Sequence, residues 1–100
     1  MDPDLPDLTI ADVVISTAGR DAGKLFYVLE ADETWLLLAD GKGRTIEKPK
    51  RKKRKHTNKV LRSETRVAEK LRAGDKVLNS ELRRDLAYFR QKLQVNTPGG

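Results

Sequence analysis

Six consecutive basic residues occupy positions 50–55, near the middle of this chain. An apolar core cannot hold six adjacent cations, because each one would lose its hydration without a carboxylate nearby. The run is therefore predicted to face water or a polyanion. This excludes residues 50–55 from the core and leaves the apolar segments on either side to form it.

Positive charge is concentrated around this run. Residues 1–40 carry two basic and nine acidic side chains, residues 41–62 carry eleven and one, and residues 63–100 carry eight and five. A field focused in this way attracts phosphate backbones. The run is predicted to act as a clamp on nucleic acid; the alternatives are a disordered solubilising linker or a targeting signal.

The composition argues against catalysis and against bound metals. One hundred residues suit one small domain, in which a large enzyme cleft is not expected. The chain has no cysteine, which excludes disulfides, thiolate metal sites and a cysteine nucleophile. Its only histidine, His56, lacks the further ligands of a zinc site. A noncatalytic protein without a cofactor is predicted.

Hydropathy indicates a cytoplasmic protein that has no membrane partner. No segment approaches the roughly 20 apolar residues of a membrane span, and the N-terminus lacks the basic and apolar regions of a signal peptide. Adhesion of the basic run to an anionic membrane is disfavoured, because no apolar anchors are interleaved with it. Residues 1–8 are predicted to be a flexible acidic leader and residues 96–100 a disordered tail.

Apolar runs in the first half of the chain predict three β-strands, at residues 13–15, 24–30 and 34–39. Apolar side chains occupy both faces of the second and third runs, which suits strands that curl around a small barrel core. A turn is predicted at residues 40–43, followed by a returning strand at residues 44–48. Pro49 is predicted to end regular pairing before the basic run.

From residue 64 the hydrophobic periodicity becomes helical. An apolar face followed by Gly74, which suits a left-handed cap, predicts a short first helix. A second helix is predicted to begin at Asn79 or Ser80. Its apolar stripe is expected to pack on the first helix or the barrel, or else to form a protein-binding or dimer face. The first face consists of Val67, Ala68 and Leu71, and the stripe consists of Leu82, Leu86, Phe89 and Leu93.

Aromatic side chains are candidates for stacking on nucleic-acid bases. Phe26, Tyr27 and Trp35 lie in predicted strands, and in a core this small at least two of them are expected to be structural. Trp35, within an apolar strand, is predicted to be buried. Tyr88 lies beside the helical stripe, where it is either exposed for stacking or partly buried.

Residues 13–29 resemble the KOW motif of RNA-binding barrels, in which a strand, a tight loop with two glycines and a basic residue, and a second strand follow one another. Gly19 and Gly23 suit such a loop, because glycine adopts positive φ angles and leaves the backbone open to close approach. Arg20 and Lys24 are expected to project from this hairpin tip towards phosphates. A nucleotide-binding phosphate loop is disfavoured, since three rather than four residues separate the glycines and an apolar residue follows the lysine.

The resemblance extends over most of residues 10–93. Residues 38–41, the basic stretch and residues 55–56 are similar to the large-subunit ribosomal KOW proteins of archaea and eukaryotes. Residues 66–71 and 79–83 are similar to the small bacterial KOW-domain RNA-binding proteins related to them. The uninterrupted basic run is denser than the ribosomal pattern, so the RNA site need not be the ribosomal one.

This resemblance implies both a fold and a function. The expected fold is mostly β with C-terminal α structure: a small SH3-like β-barrel in residues 9–62, then two short helices in residues 63–95. The expected function is noncatalytic binding of structured RNA, with ribosomal RNA as the partner, and the alternative is a protein-docking module in the transcription or translation machinery. The expected RNA-binding residues are Arg20, Lys24, Lys48, Lys50, Arg51, Lys52, Lys53, Arg54, Lys55, His56 and Lys59, and the expected structural turn residues are Gly19, Gly23 and Gly41.

Overall fold

Five antiparallel strands form one sheet in this computed structural model, which describes residues 8–95. The strands are β1 (Asp12–Ser16), β2 (Leu25–Ala31), β3 (Trp35–Ala39), β4 (Lys50–Lys53) and β5 (Thr57–Arg62). In the sheet their order is β4-β3-β2-β1-β5. Of the predicted leader and tail, residues 1–7 and 96–100 lie outside the described residues.

The first three strands lie where the apolar runs predict them. Successive side chains of a strand point to opposite faces, and here both faces are covered. Val13 and Val14 in β1 are fully buried, and so are Phe26 and Tyr27 in β2. The sheet therefore separates two apolar clusters, one on each face.

The fourth strand lies inside the basic run and not before it. The prediction of a strand at residues 44–48 is wrong, because β4 begins directly after Pro49. A proline at this position lies outside the ladder and does not interrupt it. β4 is an edge strand that pairs with β3 alone. Charged side chains are typical of sheet edges, since they discourage pairing with another chain.

The chain passes from β4 to β5 through a 3-10 helix of one turn at Arg54–His56. β5 then pairs with β1 at the other edge of the sheet. Register shifts between Val13 and Val14 and between Val28 and Glu30 act as β-bulges, which increase the bend and twist of a sheet. The sheet is not closed into a barrel, because β4 and β5 share no ladder in the described residues.

Two helices follow the sheet, as the periodicity predicts. α1 (Arg66–Ala73) begins after Thr65, whose side chain accepts a hydrogen bond from the backbone N–H of Ala68 at 3.2 Å. It ends at Gly74, which adopts the left-handed conformation with φ of 75°. α2 (Asn79–Val95) begins at Asn79, one of the two residues predicted to start it, and is 17 residues long. Neither described helix is long and apolar enough to cross a membrane.

The apolar stripe of α2 packs against one face of the sheet. Leu82, Leu86 and Phe89 are buried in the first apolar cluster. The ring of Phe89 meets that of Tyr27 edge to face, with the two centroids 6.4 Å apart. The predicted packing is confirmed for these three stripe residues, whereas Leu93 remains 42% exposed.

The opposite face of the sheet carries the second cluster, which extends to the first described residue. Leu8 is only 6% exposed, so the apolar core takes in a residue that the sequence analysis assigns to the leader. This cluster lies on the face of the sheet that the helices do not cover. Its members are Leu8, Val14, Phe26, Val28, Leu36 and Leu38.

A buried network of hydroxyl groups ties α2 to the sheet. The Tyr27 hydroxyl donates to Oδ2 of Asp85 at 2.6 Å, and Thr65 donates to the same oxygen at 2.6 Å. Ser63 Oγ lies 2.9 Å from the Tyr27 hydroxyl. Burial raises the pKa of Tyr27 well above its usual value, and the hydrogen bond to Asp85 raises it further.

Gly41 lets the turn after β3 approach the N-terminus of α2. Its φ is +79°, and a Cβ at this position would lie 2.2 Å from the backbone oxygen of Asn79. The Arg83 guanidinium also donates to the carbonyl oxygen of Gly41 at 2.6 Å. Any side chain at position 41 would therefore force the turn away from the helix.

Candidate nucleic-acid interface

The loop between β1 and β2 is a tight hairpin that the two glycines permit. Gly19 and Gly23 have φ angles of 76° and 87°. The backbone N–H of Gly23 donates to the carbonyl oxygen of Ser16 at 2.8 Å, and that of Ser16 donates to Lys24 at 3.0 Å. Residues with side chains rarely adopt such angles, so glycine suits both positions of this loop.

This hairpin loop lies directly against the basic segment, residues 48–56. The backbone N–H of Thr17 donates to the carbonyl oxygen of His56 at 2.8 Å. The Nζ of Lys52 donates to the carbonyl oxygen of Ala18 at 2.7 Å. The structure therefore brings together two groups of sequence-predicted residues, the hairpin tip with Arg20 and the 3-10 turn with Lys55.

The basic run is not uniformly solvated, which corrects the prediction for it. Lys52 is only 8% exposed, because its side chain extends beneath the hairpin loop. Arg54 is half-buried, and its guanidinium donates to the carbonyl oxygens of Asp32 at 2.8 Å and Leu8 at 3.3 Å. Hydrogen bonds to main-chain oxygens satisfy both cations. Lys52 and Arg54 thus support the segment from within.

The other predicted cations differ in exposure. Those that are exposed are Arg20, Lys24, Lys48, Arg51, Lys55 and Lys59, and those that are half-buried are Lys50, Lys53 and His56. Lys24 lies 4.0 Å from a carboxylate oxygen of Asp21, and Lys59 lies 3.4 Å from one of Asp12. The described part of the chain offers no ion pair to Arg20 or Lys55. Arg20 and Lys55 can therefore bind a phosphate without first breaking an ion pair.

Asp21 links the hairpin loop to another turn of the chain. Asp21 is 8% exposed, and its carboxylate accepts a hydrogen bond from the Arg44 guanidinium at 3.3 Å. The contact joins the hairpin to the turn that follows β3. Sequence analysis missed this pairing, because the two residues lie 23 positions apart and neither belongs to a recognisable motif.

An aromatic side chain lies on the outer face of the basic strand. Residues paired across a ladder share a face, and β4 pairs Trp35 with Lys53 and Leu37 with Arg51. The Arg51 guanidinium lies 4.1 Å from the centroid of the Trp35 ring, and the Lys53 ammonium lies 5.5 Å from it. The predicted burial of Trp35 is wrong, since it is half-buried and covered by cations. Its contacts with cations depend on the pairing of β4 with β3.

The described residues contain no group of three or more histidine, cysteine, aspartate or glutamate side chains arranged to hold a metal ion. No protein-family model matches this chain, and none of the curated protein sequences matches it. The site consists of cations on a hairpin tip, a 3-10 turn and an edge strand, and hydrogen bonds join these three elements.

Proposed function

We propose that this protein binds structured RNA without catalysis, with ribosomal RNA as the target and the cytoplasm as the compartment. The observation that carries the proposal is the contact of the hairpin loop with the 3-10 turn, through Thr17 and His56 at 2.8 Å. Two cationic elements far apart in sequence form one surface. A phosphate backbone presents charges at regular spacing, so a continuous cationic surface binds it better than separate cations do.

Two features of the sheet are compatible with the expected SH3-like barrel. β1 and β5, the first and last strands, pair with each other, and the sheet contains two register shifts of the kind that bend a sheet. In an SH3-like barrel the sheet bends so that its halves pack over one core. We propose that this sheet is of that type, with Phe26 and Val28 inside the bend and α2 covering the other face.

The alternative function, protein docking, depended in part on the apolar stripe of α2. Leu82, Leu86 and Phe89 are buried against the sheet and are unavailable to a partner. The basic surface remains accessible, since Arg20, Lys48 and Lys55 are exposed. This difference in exposure favours RNA over a protein ligand on the stripe.

The proposal is tested by measuring affinity for a structured ribosomal RNA fragment as a function of salt. Binding to phosphates releases counterions, so six engaged cations give a slope of log K against log[salt] of roughly −4 to −5. A slope near zero would remove the proposed function. Crosslinking to RNA in cells, followed by sequencing, then identifies the target; reads confined to one ribosomal RNA helix are expected, and crosslinks only to other RNAs would contradict the ribosomal assignment.

A further inference from the structure

On the face of β3 and β4 opposite the second apolar cluster, an indole and a guanidinium are in contact. The indole of Trp35 is half-buried, and the Arg51 guanidinium lies over it at 4.1 Å. The Lys53 ammonium lies 5.5 Å from the same ring, so two cations border one aromatic surface. Aromatic rings and arginine guanidinium planes are the two surfaces on which proteins stack unpaired RNA bases.

A cavity adjoins this pair. Its volume is about 300 Å³, within the lower range of small-molecule sites. The residues that line it include the indole-bearing Trp35 and the cation Arg51, together with the acidic residues Glu30 and Asp32. The cavity is lined by Glu30, Ala31, Asp32, Trp35, Leu36, Leu37 and Arg51. It therefore combines a flat stacking surface with hydrogen-bond acceptors.

The carboxylates of Asp32 and Glu30 differ in the hydrogen bonds that they already make. Asp32 Oδ1 accepts from the backbone N–H groups of Trp35 at 2.7 Å and Thr34 at 2.8 Å, and these hydrogen bonds lower the pKa of its carboxyl below the usual range. Arg54 also holds this turn, through the carbonyl oxygen of Asp32 at 2.8 Å. Glu30 is exposed and has no ion pair within residues 8–93. Glu30 is thus the acceptor that a ligand can use.

We propose that this cavity binds a single unpaired nucleobase, extruded from a bulge or loop of the bound RNA. The base stacks on the planar pair of Trp35 and Arg51, and Lys53 contacts its phosphate. Glu30 accepts a hydrogen bond from an amino group on the base edge, which cytosine has and uracil lacks. This inference rests on the proposed function and names the structural feature of RNA that the protein selects.

The arrangement of charge favours a base over an acidic peptide. A peptide carboxylate that entered the cavity would lie beside Glu30 and Asp32, and like charges at that distance repel. A nucleobase is neutral and has amino groups that a carboxylate binds. Its negative charge stays on the phosphate, beside Lys53, which is not among the residues that line the cavity.

Trp35 is the only tryptophan in the chain, so its fluorescence reports on this site alone. The test titrates the protein with three RNA hairpins that are identical except at one position: fully paired, with a bulged cytidine, and with a bulged uridine. The bulged-cytidine hairpin is expected to quench the fluorescence and to bind more tightly than the paired one, about 5- to 100-fold. The bulged-uridine hairpin should bind about 10-fold more weakly than the bulged-cytidine one.

Substitutions then assign the effect to residues. Trp35→Leu should remove the preference for a bulge, and Trp35→Phe should restore part of it. Glu30→Gln should reduce the preference for cytidine over uridine while leaving stacking intact. Tyr88→Leu is the matched control, because Tyr88 is an exposed aromatic residue on α2, outside the cavity, and its loss should leave both preferences unchanged. Melting curves identify any variant that fails to fold, and the wild-type fluorescence test does not depend on variants.

Two outcomes overturn this inference and leave the proposed function standing: equal affinity for bulged and paired hairpins, or bulge binding without a change in Trp35 fluorescence. Failure to bind any of the hairpins would instead overturn the proposed function itself. A hexa-aspartate peptide is the probe for a protein ligand. If it quenches Trp35 and competes with the bulged hairpin for the cavity at comparable affinity, an acidic peptide is the occupant and the base is not.

Discussion

Lys52 donates from its Nζ to the carbonyl oxygen of Ala18 at 2.7 Å, and so one cation of the basic segment supports the hairpin loop from below. The contact spans 34 residues of sequence. It gives the basic run two kinds of cation, some that hold the surface together and some that are exposed on it. A substitution in this run therefore has different consequences according to which kind it removes.

Substitution Lys52→Met keeps the length and apolar stem of the side chain and removes the hydrogen bond to Ala18. The carbonyl oxygen loses its partner in a partly buried site, so the free energy of unfolding should fall by about 1–3 kcal/mol. Lys55→Met is the control, because Lys55 is exposed and should affect RNA affinity but not stability. Chemical denaturation measures both; equal stability of the two variants would show that the Lys52 contact is dispensable.

Substitution Gly41→Ala tests the approach of the β3 turn to α2. The added Cβ would lie 2.2 Å from the backbone oxygen of Asn79, in a residue with φ of +79°. Backbone strain and overpacking together should destabilise the protein by about 2–4 kcal/mol. Gly43→Ala, two residues away, has no atom within 4 Å of the new Cβ and should be nearly neutral. The measurement is the melting temperature of each variant. Similar values for Gly41→Ala and Gly43→Ala would contradict the close packing of the β3 turn against α2.

Sequence patterns predict the elements whose signals are local. The β-branched and aromatic runs of β1, β2 and β3, and Gly74 at the end of α1, each depend on neighbouring residues alone. Sequence patterns do not predict β4, because a run of cations has no hydrophobic alternation. Such a composition is favourable in a strand only at a sheet edge, where β4 lies. Its pairing with β3 is a long-range property.

The candidate site was predictable in composition but not in arrangement. The cations of residues 50–55 are evident from the chain, yet the roles of Lys52 and Arg54 as internal supports depend on carbonyl groups of Ala18 and Asp32. The exposure of Trp35 likewise follows from β4 lying beside it. Such contacts join residues far apart in sequence, and no local pattern encodes them.

Alkaline pH should reveal the buried hydroxyl of Tyr27. Its pKa is raised in the folded protein, so the unfolded chain loses this proton first, above a pH of about 10. The contribution is present below that pH and is lost as the pH rises towards the folded-state pKa. Tyr27→Phe should therefore lower stability at neutral pH by about 1–3 kcal/mol, through loss of the hydrogen bond to Asp85, and should show a smaller alkaline decline.

The control for this experiment is Tyr88→Phe, because Tyr88 is 53% exposed and outside the network. Its stability should follow the wild-type profile across the alkaline range. Parallel profiles for wild type and Tyr27→Phe would mean that Tyr27 titrates alike in the folded and unfolded states, contrary to the buried network.

Substitutions on α2 separate the core from the RNA surface. Leu86→Asp introduces an unpaired carboxylate at a side chain that is 2% exposed, and it should cost about 3–5 kcal/mol, so that RNA binding falls only because folding does. Leu93→Asp, on the same stripe but 42% exposed, should change stability little. Circular dichroism and RNA affinity are measured together. A folded Leu86→Asp protein that binds RNA but no longer associates with ribosomes would show that α2 is the surface that binds a partner.

The central claim is that RNA binds the surface formed by the hairpin loop and the basic segment, and paired charge reversals test it most directly. One triple variant combines Arg20→Glu, Lys48→Glu and Lys55→Glu, and the other combines Lys76→Glu, Arg84→Glu and Arg90→Glu. All six residues are exposed, and both triples change the net charge equally.

The measurement is the affinity of each triple for the same structured RNA at one salt concentration, with melting temperatures to confirm folding. The first triple should lose about 100-fold or more in affinity, since phosphate contacts are replaced by repulsion, and the second should lose far less. Equal losses in the two folded triples would contradict the account, because binding would then follow net charge and not this surface.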